Sequence, residues 1–194
     1  MDFILNLAMQ FWPMTIFIIL VIIGFIINIF DGRMADYRVN FSYKEMPQMS
    51  PIPIPTKGKG FWKAIFLWVF GTRQWIVSKD FVYSMHGKQY VIPKGFQFDG
   101  ASVPKFLAQF LSPVGVLLIG GLIHDYGYKY ETLLLKNKKT IGIKSQKWMD
   151  ETFRDINIEV NGFYFLNYLA YWALRIGGFV AWNKHRKVNA QIGD

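Results

Sequence analysis

The stretch that decides the fold runs from FDGASVP at residues 98–104 to HDYGY at residues 124–128. The second motif opens with an acid–base pair, His124 and Asp125. Between the motifs, residues 114–123 are apolar and carry no charge. An apolar run of this kind predicts a helix that packs against a core and delivers His124 and Asp125 to a cleft at its end.

Composition indicates a globular domain combined with apolar segments. The 194 residues are 52% apolar and 18% aromatic, and 18% charged residues is low for a wholly soluble domain. The net charge of +9 suggests an anionic partner, although the positive-inside effect alone makes membrane proteins basic. No nucleic-acid-binding motif accompanies the charge, so we rank a nucleic-acid partner last. The absence of cysteine excludes disulfides and thiolate metal sites.

Residues 11–30 predict a single transmembrane helix. They contain no charge and only two polar residues, Thr15 and Asn28. A run of about 20 residues at 1.5 Å rise matches a hydrocarbon core of about 30 Å. A secretory signal peptide would have a basic start and a small-residue cleavage site, and neither is present. The nearest basic residues, Arg33 and Arg38, follow the run, which predicts a C-terminal domain in the cytoplasm.

Two segments lie between this run and the central stretch. Residues 47–55 alternate proline with apolar residues and predict an extended polyproline linker. Residues 61–70 are apolar except for Lys63 and are too short to span a bilayer. They predict either a helix in the headgroup region, with Trp62 and Trp68 at the interface, or a helix packed on the domain core.

The rest of the chain predicts short strands followed by helices. Residues 75–84 and 88–92 are rich in branched and aromatic residues, and the His86-Gly87 pair between them predicts a hairpin. Helices are predicted over residues 114–130 and 144–160 from their apolar spacing.

Two further segments lie between and after these predicted helices. Residues 135–144 are basic and predict a mobile loop. Residues 163–182 are apolar, but Arg175 and the Gly177-Gly178 pair near their middle argue against a span, so we expect packing on the domain or contact with lipid.

HDYGY carries the strongest candidates for chemistry. His124 and Tyr128, four residues apart on a helix, share a face, and Asp125 points to another side, suited to a cation. A neutral imidazole activates water as a general base when an acceptor orients its other nitrogen. Asp150, on the following predicted helix, is the natural acceptor. The alternative is a His-Asp pair that only hydrogen-bonds within the core.

Other polar residues have simpler interpretations. Asp99 is either a metal ligand or the first residue of a turn, which Asp-Gly favours on its own. Ser102 lacks the surroundings of a catalytic nucleophile. His86 and His185 are expected on the surface.

The block from residue 73 to residue 182 resembles an uncharacterised family of phage and prophage proteins, domain of unknown function 1353. The resemblance rests on VIPKGFQFDGASVPKF, LIHDYGY and the MDETF helix, in that order. It implies a phage-encoded protein that works with other phage proteins. The chain is then organised as a transmembrane anchor (1–31), a juxtamembrane and proline-rich linker (32–60), an interfacial helix (61–72), the family domain (73–182) and a basic tail (183–194).

HDYGYKYE and MDETFRDI are also similar to the paired helices of secreted prokaryotic-type phospholipases A2. This resemblance implies that His124 is the base, that Asp150 orients it and that Tyr128 supports both. It implies Ca²⁺ as cofactor, with Asp125 as a ligand and backbone carbonyls of the turn around Gly95 to Ser102 as further ligands. Asp99, in that turn, is the second candidate metal ligand. Those enzymes brace their helices with disulfides, which this chain lacks.

Together these observations predict an α+β fold: an N-terminal transmembrane helix, a small antiparallel sheet and a mainly helical core like that of phospholipase A2. The predicted function is a membrane-anchored esterase or phospholipase-like hydrolase that contacts the bilayer and anionic headgroups. The predicted location is the host inner membrane or the virion. The alternative is a non-catalytic phage membrane, virion or host-interaction protein that uses the same helix pair as a scaffold.

Overall fold

The computed structural model describes residues 39–71, 74–98 and 115–192, together with isolated positions between 11 and 26. Over these residues the fold is α+β, as predicted, with four helices and three small antiparallel sheets. The helices are α1 (Phe61–Phe70), α2 (Leu118–Tyr130), α3 (Gln146–Asn161) and α4 (Tyr164–Ile192). The strands are β1 (Ser42–Tyr43), β2 (Met49–Ile52), β3 (Gln74–Val77), β4 (Phe81–Met85), β5 (Lys88–Ile92), β6 (Gln97–Phe98), β7 (Thr132–Leu134) and β8 (Thr140–Gly142).

The structure contradicts the predicted transmembrane helix. Among the helices that the structure describes, none is both long enough and apolar enough to cross a bilayer. Helix α1 is too short to cross a bilayer, because it has only 10 residues. Helix α4 has 29 residues but is too polar, because it includes Arg175, Lys184 and Arg186. Most of the predicted span, residues 11–30, lies outside the described residues.

The predicted hairpin is confirmed as β4 and β5. Phe81 pairs with Ile92 and Met85 with Lys88, and β1 adds to the other edge of β4. Alternate residues of β4 are buried, as the period-2 pattern of a half-buried strand requires. Both turn residues, His86 and Gly87, have positive φ, which glycine adopts readily.

A second sheet corrects the interpretation of residues 47–55. Instead of a free polyproline linker, Met49–Ile52 forms β2 and pairs with β3 over four residues. Strand β3 also pairs with β6, so β2 is an edge strand, a place where Pro51 is tolerated. The expected mobile loop at residues 135–144 is likewise ordered, because β7 and β8 form a third, two-stranded sheet there.

The core lies between the first two sheets and α2. Nearly every residue of α2 from Leu118 to Tyr128 is buried, with α3 and α4 packed on its other sides. The sheets contribute aromatic rings, including Tyr83, which stacks on Tyr90 with centroids 5.3 Å apart. Helix α4 therefore packs on the domain, which was one of the two expectations for residues 163–182.

Candidate functional site

The site begins with the close approach of α2 and α3. Two glycines of α2, one on each side of His124, face α3. A β-carbon at Gly120 would lie 2.3 Å from the amide nitrogen of Asn157, and one at Gly127 would lie 2.4 Å from Met149 Sδ. The missing side chains let the helix backbones approach closely, which brings His124 within hydrogen-bonding reach of α3.

Asn157 also caps α2 from the neighbouring helix. Leu117 precedes α2 and offers no side-chain cap, so the first backbone N–H groups of the helix need other partners. Gly120 N–H donates to Asn157 Oδ1 at 3.1 Å, and both residues are buried. The start of α2 is therefore held by α3 and not by a local N-cap residue.

His124, Tyr128 and Asp150 meet as the sequence predicts. The rings of His124 and Tyr128 lie 4.0 Å apart on one face of α2. Asp150 Oδ1 lies 2.9 Å from His124 Nε2 and accepts a hydrogen bond from the Tyr128 hydroxyl at 2.6 Å. His124 is 2% exposed and Asp150 is fully buried. The structure brings these three residues together, and their catalytic roles stay predictions.

Sequence reasoning missed Arg175 of α4. Its guanidinium donates to Asp150 Oδ2 at 2.7 Å, so both carboxylate oxygens of Asp150 are engaged. The network thus joins α2, α3 and α4. A signal was present in the sequence, since a lone arginine inside an apolar helix requires a buried anionic partner. In the sequence analysis Arg175 serves only as evidence against a membrane span.

The carboxylates control the protonation of His124. Burial alone would lower the pKa of His124, but the hydrogen bonds and charges of Asp125 and Asp150 outweigh it and raise the pKa above its usual value. Burial alone would raise the pKa of Asp150, but hydrogen bonds from His124, Tyr128 and Arg175 keep it below its usual value. Burial and the Asp150 carboxylate raise the pKa of Tyr128, so its hydroxyl stays a donor. Asp150 therefore stays ionised at neutral pH.

A cleft of about 310 Å³ opens beside this network. His124 and Asp125 line it, with Nδ1 of His124 3.5 Å from Asp125 Oδ1. Since Asp150 takes Nε2, Nδ1 is the ring nitrogen left for a reacting group. The remaining lining includes two lysines, one histidine, and aromatic and amide side chains in or next to the strands: Lys129, Lys184, His185, Gln74, Phe96, Gln97 and Phe98. The cleft can therefore hold an anionic molecule with an apolar part.

The predicted calcium site gains no support from the described residues. No group of three or more histidine or acidic residues that could hold a metal ion is found among them. Asp125 lines the cleft, but Lys129 and Lys184 line the same cleft, and their positive charges disfavour the binding of a metal cation there. Asp99, the other predicted ligand, lies outside the described residues.

Four other polar residues, three histidine or serine candidates and Asp155 of α3, are placed as follows. His86 is exposed in the β4–β5 turn, as expected. His185 lines the cleft, contrary to its expected position on the open surface. Asp155 contacts Arg154, with 2.7 Å between Oδ1 and Nε, and does not reach the cleft lining. Ser102 lies outside the described residues.

Comparison with known proteins identifies one family. Residues 75–174, just over half of the chain, match the family model described as Protein of unknown function (DUF1353). No curated protein and no solved structure matches the chain. The match runs from Trp75 in β3 to Leu174 in α4. It includes His124, Tyr128 and Asp150 and ends one residue before Arg175. The phage origin and the likeness to phospholipases A2 stay predictions.

Proposed function

We propose that this chain, which belongs to the DUF1353 family of proteins of unknown function, hydrolyses acyl esters with His124 as general base. The observation that carries the proposal is the 2.9 Å contact between His124 Nε2 and the buried Asp150 carboxylate at the wall of a cleft. A base–orienter pair of this kind is the common element of water-activating sites.

The reaction uses the two ring nitrogens differently. Neutral His124 donates its Nε2–H to Asp150, which leaves the lone pair on Nδ1. Nδ1 takes a proton from a water molecule as the water oxygen attacks the ester carbonyl carbon. The tetrahedral intermediate then breaks its bond to the alkoxide, which takes the proton back from the imidazolium. The products are a carboxylic acid and an alcohol, and His124 returns to its neutral form.

Asp150 acts by orientation and by charge. Its Oδ1 holds the imidazole in one tautomer and stabilises the imidazolium that forms during the reaction. The Tyr128 hydroxyl and Arg175 fix the carboxylate from both sides, at 2.6 Å and 2.7 Å. Because the network is buried, its geometry is already set before substrate enters, which is what a positioned general base requires.

The residues that line the cleft favour an anionic ester, such as a phospholipid, as the substrate. Lys129 and Lys184 line it, and no carboxylate other than Asp125 does so among the described residues. Lys129 Nζ lies 5.5 Å from the Phe96 ring centroid, which places a cation beside an apolar wall. A phosphate would pair with the lysines, and an acyl chain would contact Phe96 and Phe98.

The test is turnover of short-chain phosphatidylglycerol and phosphatidylcholine by the purified full chain, with Ca²⁺ or with excess chelator. We expect fatty-acid release that is lost in His124→Asn and in Asp150→Asn. His86→Asn is the matched control, because it changes an exposed histidine, and asparagine tolerates the positive φ of that turn. Thermal unfolding of each variant separates loss of chemistry from loss of fold.

The outcomes distinguish the site from the metal. Equal turnover in folded His124→Asn would reject His124 as the base. Turnover that needs Ca²⁺ would support the calcium expectation, and turnover in chelator would remove it. A Lys129→Gln/Lys184→Gln variant is expected to lose its preference for the anionic substrate about tenfold or more while it retains turnover of the zwitterionic one.

A second candidate is a non-catalytic scaffold, such as a phage structural or host-interaction protein. It is favoured by burial, because the network joins three helices and leaves His124 only 2% exposed. In that case His124→Asn and Asp150→Asn lower the unfolding temperature, and no ester is turned over by any variant or by the unmodified chain. The same experiment therefore decides between the two candidates.

A further inference from the structure

Helix α1 exposes an apolar surface to solvent. Its side chains Phe61, Trp62, Phe66, Trp68 and Val69 are between 55% and 79% exposed. At 100° per residue these five positions lie within an arc of about 160° on the helix. Contiguous exposed aromatic surface of this kind marks an interaction site. The expectation that residues 61–70 pack on the domain core is therefore not met.

The helix lies between two strands that pair with each other. It forms the connection between β2 and β3, whose ladder closes with Ile52 opposite Gln74. At its C-terminus Gly71 N–H donates to Leu67 O at 2.7 Å. The apolar surface is thus carried on a short helix that lies, in the chain, between two paired strands.

Basic residues border the apolar surface. Lys57 and Lys59 lie in the turn before α1, and Lys63 lies on the helix about 60° beyond the edge of the apolar arc; all three are exposed. No acidic residue occurs between residues 56 and 71. Apolar side chains that include two tryptophans, next to lysines without acids, complement the acyl region and the anionic headgroups of a bilayer surface.

We propose that α1 docks the domain on the surface of bilayers that contain anionic phospholipid. The helix lies in the plane of the interface, with Trp62 and Trp68 at headgroup depth and the three lysines against lipid phosphates. The proposal concerns surface contact by α1 and does not depend on the proposed hydrolysis.

Docking would also orient the cleft. Gln74, the first residue of β3, lines the cleft, and β3 follows directly after α1 in the chain. β6, which pairs with β3, contributes Gln97 and Phe98 to the same lining. The strands that flank α1 in the chain therefore belong to the sheet that contributes to the cleft lining, so contact of α1 with a bilayer places the chain that enters this sheet close to lipid.

The experiment uses site-specific fluorophores, which the absence of native cysteine makes simple. Trp62→Cys and Val69→Cys each carry an environment-sensitive dye in the full chain, and Lys88→Cys, exposed on β5, is the aqueous control. The protein is mixed with vesicles of phosphatidylcholine alone, or of equal parts phosphatidylcholine and phosphatidylglycerol. Brominated acyl chains then report whether each dye lies in the bilayer.

We expect the dyes at positions 62 and 69, and not the dye at position 88, to be quenched by brominated lipid in the vesicles that contain phosphatidylglycerol. Aqueous emission from positions 62 and 69 on both kinds of vesicle overturns the proposal. A dye that is already shielded without vesicles also overturns it. Shielding that grows with protein concentration shows a second copy on α1, and shielding independent of concentration shows another segment of the chain.

The lysines are tested separately from the apolar side chains. Lys57→Gln/Lys59→Gln/Lys63→Gln is expected to shift the equilibrium between embedded and aqueous dye by on the order of a hundredfold, since each lysine near an anionic surface contributes about 1 kcal/mol. Lys136→Gln/Lys138→Gln/Lys139→Gln removes the same charge from the β7–β8 hairpin and is expected to have little effect. Equal effects of the two triple variants would show that the net charge of the protein alone determines binding to the vesicles. That result would overturn the proposed role of α1.

Discussion

One carboxylate organises the site at the scale of single residues. Asp150 is fully buried and receives the imidazole, a phenol hydroxyl and a guanidinium within 2.9 Å. A buried anion without these partners would be very costly, so the three partners and Asp150 stabilise one another. The same arrangement suits a base–orienter pair and a structural network, which is why turnover and stability must be measured on the same variants.

Asp125→Asn is expected to lower the pKa of His124, because Asp125 is the first of the contributions that raise it. A raised histidine pKa stabilises the folded state below the unfolded pKa, and this stability is lost as pH rises through the folded pKa. The free energy of unfolding of Asp125→Asn should therefore be lower than that of the unmodified chain, mainly at acidic pH. The loss should be less than about 1 kcal/mol, because His124 Nδ1 and Asp125 Oδ1 are 3.5 Å apart. Histidine NMR titration and urea unfolding at several pH values measure both effects.

The control for that prediction is Asp155→Asn. Asp155 has nearly the same side-chain exposure as Asp125, 14% against 13%, but contacts Arg154 and not His124. The Asp155→Asn variant should leave the titration of His124 unchanged. If His124 is the catalytic base, the acid limb of turnover should move to lower pH in Asp125→Asn only. An unshifted titration in Asp125→Asn would contradict the assignment of the raised pKa.

Arg175→Met is expected to reduce the free energy of unfolding by about 1–3 kcal/mol, because Asp150 Oδ2 loses its charged donor. The estimate stays below that for a fully buried pair, since the Arg175 side chain is 29% exposed. The measurement is urea unfolding of Arg175→Met, alone and combined with Asp150→Asn. In the Asp150→Asn background, the neutral amide at position 150 no longer needs a cation as partner. There, replacing Arg175 by Met should change the free energy of unfolding by less than about 1 kcal/mol. Equal losses in both backgrounds would show that Arg175 acts through packing.

At the scale of elements, α2 depends on small residues where it meets α3. Its sequence includes Gly120, Gly121 and Gly127, which lower intrinsic helix propensity. The helix forms because it is buried on nearly all sides and because Asn157 supplies the missing cap. Helix α3 is capped locally instead, since the Ser145 side chain accepts from Trp148 N–H. Tertiary packing thus overrides propensity in the helix that carries His124.

Gly120→Ala is expected to destabilise the fold by about 1–3 kcal/mol although alanine is the better helix former. Its β-carbon would overlap the hydrogen-bonded Asn157 amide. Gly177→Ala on α4 is the matched control, because its β-carbon would meet nothing within 4 Å; it should stabilise by up to about 1 kcal/mol. Thermal unfolding of both variants gives the sign. A stabilising Gly120→Ala would show that the helices are not in close contact.

At the scale of the whole molecule, residues before the family match belong to the folded unit. β1 and β2 pair with β4 and β3, and Val39 is buried. The Glu159 carboxylate of α3 accepts the backbone N–H groups of Asn40 at 3.0 Å and Phe41 at 2.6 Å. One side chain therefore ties the N-terminal strands to the helical layer.

Glu159→Ala is expected to release this connection at a cost of about 1 kcal/mol. The amides of Asn40 and Phe41 should lose hydrogen-exchange protection, while those of β5 keep it, because the β4–β5 ladder is unaffected. Glu151→Ala on the same helix removes only a long, exposed pair with Lys147 and should change neither protection nor stability by more than about 0.5 kcal/mol. Unchanged exchange at residues 40 and 41 would contradict the prediction.

The sequence by itself determined the local features. The alternation in β4, the His86-Gly87 turn and the positions of α2 and α3 all follow from periodicity and turn chemistry within a few residues. His124 and Tyr128 face one way because any helix aligns residues four apart. Asp150 was predictable as their partner because the two motifs carry complementary groups on adjacent helices.

Tertiary structure alone decided the rest. The pairing of β2, the contact of Arg175 with Asp150 and the lysines around the cleft join residues far apart in the chain. Local patterns do not encode which distant partner a strand edge or a charge will meet. Residues 61–70 illustrate the limit. Their apolar character was compatible with the core and with a lipid surface, and only the packing of the other elements, which fills the core without α1, leaves that helix exposed.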